Sequence, residues 1–179
     1  LSGLPELKTQ LVVDFADHPT VGLPWRGRIA GSEFVFYDVQ LKQIFRMPLP
    51  EGPLEKIGTQ GQGPGEYQGV QDIYLEGDTV FVLDERGRII AFGPDGRVKK
   101  EMKPPLRLER FVGRQGDRFF LAGRSASQSA FQDRIIVSWQ EGRSPDVLTS
   151  AAADVMTMRA SSLDGQALAA GHFTLSEPA

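Results

Sequence analysis

Two imidazoles, His18 and His172, and no cysteine make up the supply of the side chains most used in nucleophilic and metal chemistry. The lack of thiols removes disulfides, thiolate nucleophiles and zinc–thiolate sites together. Asp14, Asp17 and His18 lie close enough in sequence to share a cation, but D-x-x-D-H in a loop is an unspecific pattern that a solvated turn also explains. His172 follows Gly171 with no partner beside it. Asp38 and Asp84 make a better pair, since each closes an apolar run seven residues after a glycine. Paired carboxylates do acid–base work; the alternative is that each caps the turn after its strand through backbone amides.

The run Gly61-Gln62-Gly63-Pro64-Gly65 has the composition of a phosphate cradle. A P-loop, however, needs a GK[ST] ending and a helix whose N-terminus faces the phosphate. Pro64 and Glu66 occupy those places and a strand follows, so a tight crossover with Tyr67 packed inward fits better. Ser125, Ser127 and Ser129 stand in a small-polar stretch with no nucleophile-elbow setting. No catalytic residue, metal ligand set or cofactor is assigned.

The elements that position these residues are short strands. A glycine, one or two mostly polar residues and an apolar burst recur at Gly31, Gly77, Gly116 and Gly165, with spacings of 46, 39 and 49 residues. Glycine supplies the positive φ of a tight turn, and the Asp or Gly after each burst ends the strand. A period of 40–50 residues built from short strands marks a propeller or a related array. Phe34-Val35-Phe36-Tyr37 and Val80-Phe81-Val82-Leu83 are continuous apolar runs, as expected of strands buried on both faces. Gln43–Met47 and Arg88–Phe92 are mixed, as expected towards a blade's outer edge. The spacing divides the chain into units of about 26–65, 66–105, 106–150 and 151–179, in one domain.

Charge is unevenly placed. Residues 1–84 carry 6 basic and 12 acidic side chains, residues 85–134 carry 12 and 6, and residues 135–179 carry 2 and 5. A basic centre between acidic flanks suits an anionic partner or an anionic membrane surface; solvated loops are the alternative. Arg107, Arg110, Arg114 and Arg118 are the residues such a surface would use. Phe111, Phe119, Phe120 and Phe131 are interleaved with them, but these phenylalanines sit in expected core strands and the net charge is −3, so nucleic acid is not expected. No apolar run approaches the roughly 18 residues of a membrane span. The chain opens on Leu1 rather than Met, which suits a mature or truncated chain and an extracytoplasmic location.

Ile57-Gly58-Thr59-Gln60-Gly61-Gln62-Gly63-Pro64-Gly65-Glu66-Tyr67 resembles the blade junction of bacterial six-bladed β-propellers of the NHL-like group. Val80 to Asp84, then Arg88-Ile89 and Phe92 before Asp95-Gly96, resembles the blade core of the same group. The resemblance makes Gly58, Gly61, Gly63, Pro64, Gly65, Glu66 and Tyr67 the structural junction between two blades. A six-bladed ring needs about 270 residues at roughly 45 per blade. This chain has 179. The expected fold is therefore all-β, a propeller-like array of about four blade units, incomplete or degenerate relative to a six-bladed ring. The resemblance also implies that an N-terminal strand, here Thr9 to Phe15, closes the last unit. The functional expectation is a non-enzymatic protein-interaction or scaffold module, an accessory subunit of a respiratory or photosynthetic membrane complex being one setting. The alternative implied by the same resemblance is a fragment of a ligand-binding or metal-dependent hydrolase or lyase propeller.

Overall fold

The structure, a computed structural model, describes residue 15, residues 20–124 and residues 134–151. Strands β1 (Pro24–Ala30), β2 (Glu33–Asp38), β3 (Gln43–Pro48) and β4 (Glu55–Ile57) form one antiparallel sheet in chain order. Strands β5 (Val70–Glu76), β6 (Thr79–Asp84), β7 (Ile89–Phe92) and β8 (Val98–Met102) form a second. Strands β9 (Leu108–Gln115), β10 (Arg118–Arg124), β11 (Arg134–Trp139) and β12 (Asp146–Ala151) form a third. Each sheet is a four-stranded meander, the form of a propeller blade. Gly31, Gly77 and Gly116 sit between the first and second strands of the three sheets with φ of +57°, +53° and +58°. These hairpins need the left-handed region, which a side chain at that position disfavours.

The burst of β6 is buried on both faces because its sheet lies between the other two. In β6, Val80 and Val82 join a cluster with Val35, Tyr37 and Ile44 of the first sheet. Phe81 and Leu83, alternating with them, join a second cluster with Leu108, Phe119, Leu121 and Trp139 of the third sheet. Strict alternation across a pleat thus divides one apolar run between two cores. On the first sheet, the Phe15 ring lies 6.1 Å from Phe34 and 5.1 Å from Phe36, centroid to centroid. The rest of the expected strand 9–15 and the unit beyond residue 151 lie outside the described residues, as do Asp14, Asp17, His18 and His172.

The mixed strands β3 and β7 lie outward of the burst strands, third in their sheets, yet they are almost wholly buried. The polar residue that made β3 look peripheral, Arg46, is itself buried, and its guanidinium donates to the carbonyls of Pro94 (2.8 Å) and Asp78 (3.1 Å) on the second sheet. A paired, hydrogen-bonded arginine is tolerated between blades where a bare charge is not. The outer positions belong to β4, β8 and β12, and β8 is exposed along most of its length. At the opposite side β1 lies against β5 and β5 against β9, so the first strands of the three sheets gather together.

Candidate functional site

The glycine-rich crossing from β4 to β5 is held by its own acidic end. The Glu66 carboxylate accepts the Gly63 amide at 2.7 Å, and a Cβ on Gly61 would collide with that same carboxylate. Gly65, at φ +75°, packs where a Cβ would meet Val98 at 2.7 Å, and its amide donates to Glu101 at 3.1 Å. Pro64 stands between these two glycines. Tyr67 then enters the core with no exposure, edge-on to Tyr37 and Phe92. Its hydroxyl accepts the Ile44 amide at 3.0 Å, and burial pushes it up to about 12. The backbone is closed by Tyr67 N–H to Thr59 O, Gly61 N–H to Tyr67 O, and Gly58 N–H to Gly96 O. The loop presents its amides to its own chain.

The two aspartates cap turns. Asp38 accepts the amides of Gln40 and Leu41 (both 2.9 Å) with one oxygen and those of Gly22 (2.6 Å) and Leu23 (3.1 Å) with the other. Burial pushes its carboxyl up, but these backbone bonds outweigh it and hold the group below its ordinary value. Asp84 accepts the amides of Arg86 and Arg88 through one oxygen and takes Arg88 Nε (3.0 Å) and Nη2 (2.6 Å) on the other. Arg88 goes on to the Glu101 carboxylate (3.0 Å) and the Glu66 carbonyl (2.7 Å). Burial works against its charge, yet the two carboxylates outweigh that and raise its pKa.

The four arginines are not gathered: Arg107 precedes β9, Arg110 and Arg114 lie in it, and Arg118 opens β10. From Arg107 to Arg114 the strand advances roughly 23 Å. Arg114 is half-buried, paired with Glu76, 3.8 Å from Asp117, and stacked over Phe81 and Phe119 at 4.8 and 5.2 Å. Such a cation clamps two blades together. Arg118, at the start of β10, is exposed at the same end as Arg114. Arg107 and Arg110 are exposed at the other end. Arg107 borders a cleft of about 370 Å³ with Gln71, Arg86, Lys103 and Leu106.

At that end the gathered strands β1, β5 and β9 build a polar cluster that their local sequences do not mark. Asp72 of β5 is fully buried; its Oδ1 accepts Arg28 Nη2 of β1 at 2.7 Å and its Oδ2 accepts the Phe111 amide of β9 at 2.9 Å. One carboxylate therefore ties three strands. Register shifts lie beside it in each: between Trp25 and Arg28, between Val70 and Asp72, and in β9 where Leu108 and Arg110 pair with consecutive residues of β10. Bulges of this kind re-aim side chains. Arg26, inside the first of them, has φ +53°, stacks over Trp25 at 4.2 Å, and buries an Nε with no hydrogen-bond partner. Burial, then Arg110, lower its pKa. Gln71, in the second shift, buries an unpartnered Oε1. Among the described residues no three or more His, Cys, Asp or Glu side chains group to hold a metal.

Three meandering four-stranded sheets with their first strands gathered define a β-propeller. Residues 54–162 match the family described as 6-bladed β-propeller, and the chain belongs to that family. Among solved structures, a Bacteroides fragilis protein provisionally designated as exported superposes with a TM-score of 0.58 at 15% identity. The match covers 74% of this chain and 38% of that one, so the chain spans well under half the length of that relative. A comparison with curated proteins found no match.

Proposed function

We propose that this chain is part of a non-enzymatic binding module of NHL-like type, which docks a partner protein at the Arg107–Arg110 end of its gathered first strands. The observation that carries the reading is the surface of β1 and its approach, where Leu23, Trp25 and Ile29 stay exposed beside the arginine cluster. Aromatic and arginine side chains held rigidly together are the usual anchors of protein interfaces. The module is proposed to work outside the cytoplasm as an accessory subunit; the designation of the Bacteroides fragilis protein as exported supports that setting. Native mass spectrometry of the protein from its source, before and after denaturation, tests the reading. Release from a larger assembly is expected, and Arg107→Glu with Arg110→Glu should weaken that assembly at least tenfold. A protein that runs alone under native conditions would overturn it.

A further inference from the structure

Each sheet brings its first strand in, and turns its second strand into its third, at one and the same end of the array. That end is apolar and basic together. In the first sheet the Asp38 carboxylate accepts the Leu23 amide on one oxygen and the Leu41 amide on the other, at 3.1 and 2.9 Å. The two leucines are thereby held near each other, 58% and 47% exposed, and Trp25, just beyond Leu23, is 45% exposed. Lys42 follows Leu41, Arg86 stands in the matching turn of the second sheet, and Lys103 and Arg107 lie in the link to the third; all are exposed. Gln71, Arg86, Lys103 and Arg107 border one cleft, which places the second and third sheets at this end together. Among the described residues none of these cations makes an ion pair, and Arg86 donates to the neutral Gln68 carboxamide at 2.7 Å. Of the exposed or half-buried acids there, Glu109 is paired with Arg124, Glu101 with Arg88, and Glu66 is turned onto the Gly63 amide. Glu85 is left alone against the cations.

From this placement we infer that this end of the array seats on a bilayer surface of anionic lipid headgroups. The inference goes beyond the docking reading; a partner embedded in that bilayer would meet the same end. The cations span the array from the first sheet to the third, which suits a planar field of negative charge better than a single acidic side chain. Surface binding of this kind grows with the apolar area buried at the headgroup boundary and with attraction to anionic lipid. Leu23 and Leu41 supply the apolar area, and tryptophan suits the boundary because it has an apolar body and a polar N–H. One buried carboxylate already fixes both leucine-bearing segments, so docking has little left to order. The net charge of −3 does not oppose this. The acids Glu51, Asp78, Asp95, Asp117 and Glu141 lie at the opposite end. A strand such as β2 separates the two ends by roughly 20 Å. That is about two Debye lengths at physiological salt, so those acids are screened from a surface that the cations touch.

Co-sedimentation of the protein with lipid vesicles tests the inference. Binding is expected to vesicles of phosphatidylcholine with phosphatidylglycerol, and not to phosphatidylcholine alone. Trp25 emission should shift to the blue on binding and be quenched by lipid brominated on its acyl chains. Trp25→Phe should abolish both signals, since the other tryptophan, Trp139, is 3% exposed in the core. Leu23→Ser with Leu41→Ser alters exposed side chains only, so the urea midpoint should hold while the partition coefficient falls about tenfold. Lys103→Glu with Arg107→Glu should lower it about thirtyfold, each cation at an anionic surface contributing roughly fivefold. The same change of charge at the opposite end, Arg97→Glu with Arg143→Glu, should leave binding unaltered. No binding to anionic vesicles, equal binding to neutral ones, or an equal loss from the opposite-end variant would each overturn the inference. So would binding to soluble poly-glutamate without binding to vesicles, which would assign the face to an acidic protein. Native mass spectrometry of the source material judges the docking reading apart from this. An assembly without vesicle binding would sink the lipid inference alone, and vesicle binding without an assembly would sink the docking reading alone.

Discussion

At Gly58 the backbone turns with φ +60°, and a Cβ there would lie 2.5 Å from the Phe92 ring and 3.2 Å from Tyr67. Gly31 has nearly the same φ, but nothing lies within 4 Å of the Cβ it lacks. The pair separates conformational strain from collision. Gly31→Ala should cost about 1–2 kcal/mol, the left-handed penalty alone. Gly58→Ala should cost about 2–4 kcal/mol, because overpacking against Phe92 is added to the same strain. Urea midpoints of the two variants decide it, and equal losses would mean that the ring moves aside freely. The turn glycines were legible in the sequence because no other residue type adopts such a turn at so little cost. Arg26 was not. An arginine at positive φ carries no mark in composition or spacing, and its partner strands lie far along the chain. Asp72 was missed for the same reason, since the arginine it holds is 44 residues away.

At the scale of elements, the crossing from β4 to β5 is fastened to the second sheet by Arg88. One guanidinium reaches Asp84 on β6, Glu101 on β8 and the Glu66 carbonyl in the crossing itself. Asp84 is fully buried, so removal of its partner leaves a buried carboxylate with two backbone amides and no countercharge. Arg88→Met should therefore destabilise the protein by about 3–5 kcal/mol. Asp84→Asn combined with Arg88→Met should lose less than the sum of the single changes, the sign of direct coupling. Hydrogen exchange localises the effect: the amides of Gly61 and Tyr67 should lose protection before those in β2. Additive losses would show that Arg88 acts through packing alone. The glycine motif of this crossing was readable as a junction, but its fastening was not. Arg88 reads as the first polar residue of a mixed strand, and only the sheet register brings Glu101 beside it.

On the scale of the whole molecule, neighbouring blades share their cores. β6 divides its side chains between two clusters, Asp72 ties three first strands, and Arg114 bridges β5, β6, β9 and β10 through Glu76, Phe81 and Phe119. Loosening one blade should therefore be felt by the next, and acid offers a way to do it. Asp38 holds the β2–β3 turn and its approach in the first sheet, and Glu101 holds the crossing and Arg88 in the second. Burial pushes both carboxyls up, but backbone amides, and for Glu101 also Arg88, outweigh it and keep both below their ordinary values. A carboxyl whose folded pKa is depressed adds stability above its unfolded pKa, and loses that stability as pH falls through the folded one. Ordinary carboxyls titrate near 4. The urea midpoint should hold from pH 7 to about 5 and fall progressively below about 4. Asp38→Asn and Glu101→Gln should each start lower at pH 7 and show a shallower acid decline. If the blades share one cooperative core, fluorescence of Trp25 in the first sheet and of Trp139 in the third should report the same acid midpoint. Separate midpoints would mean that the blades unfold independently despite the side chains they share.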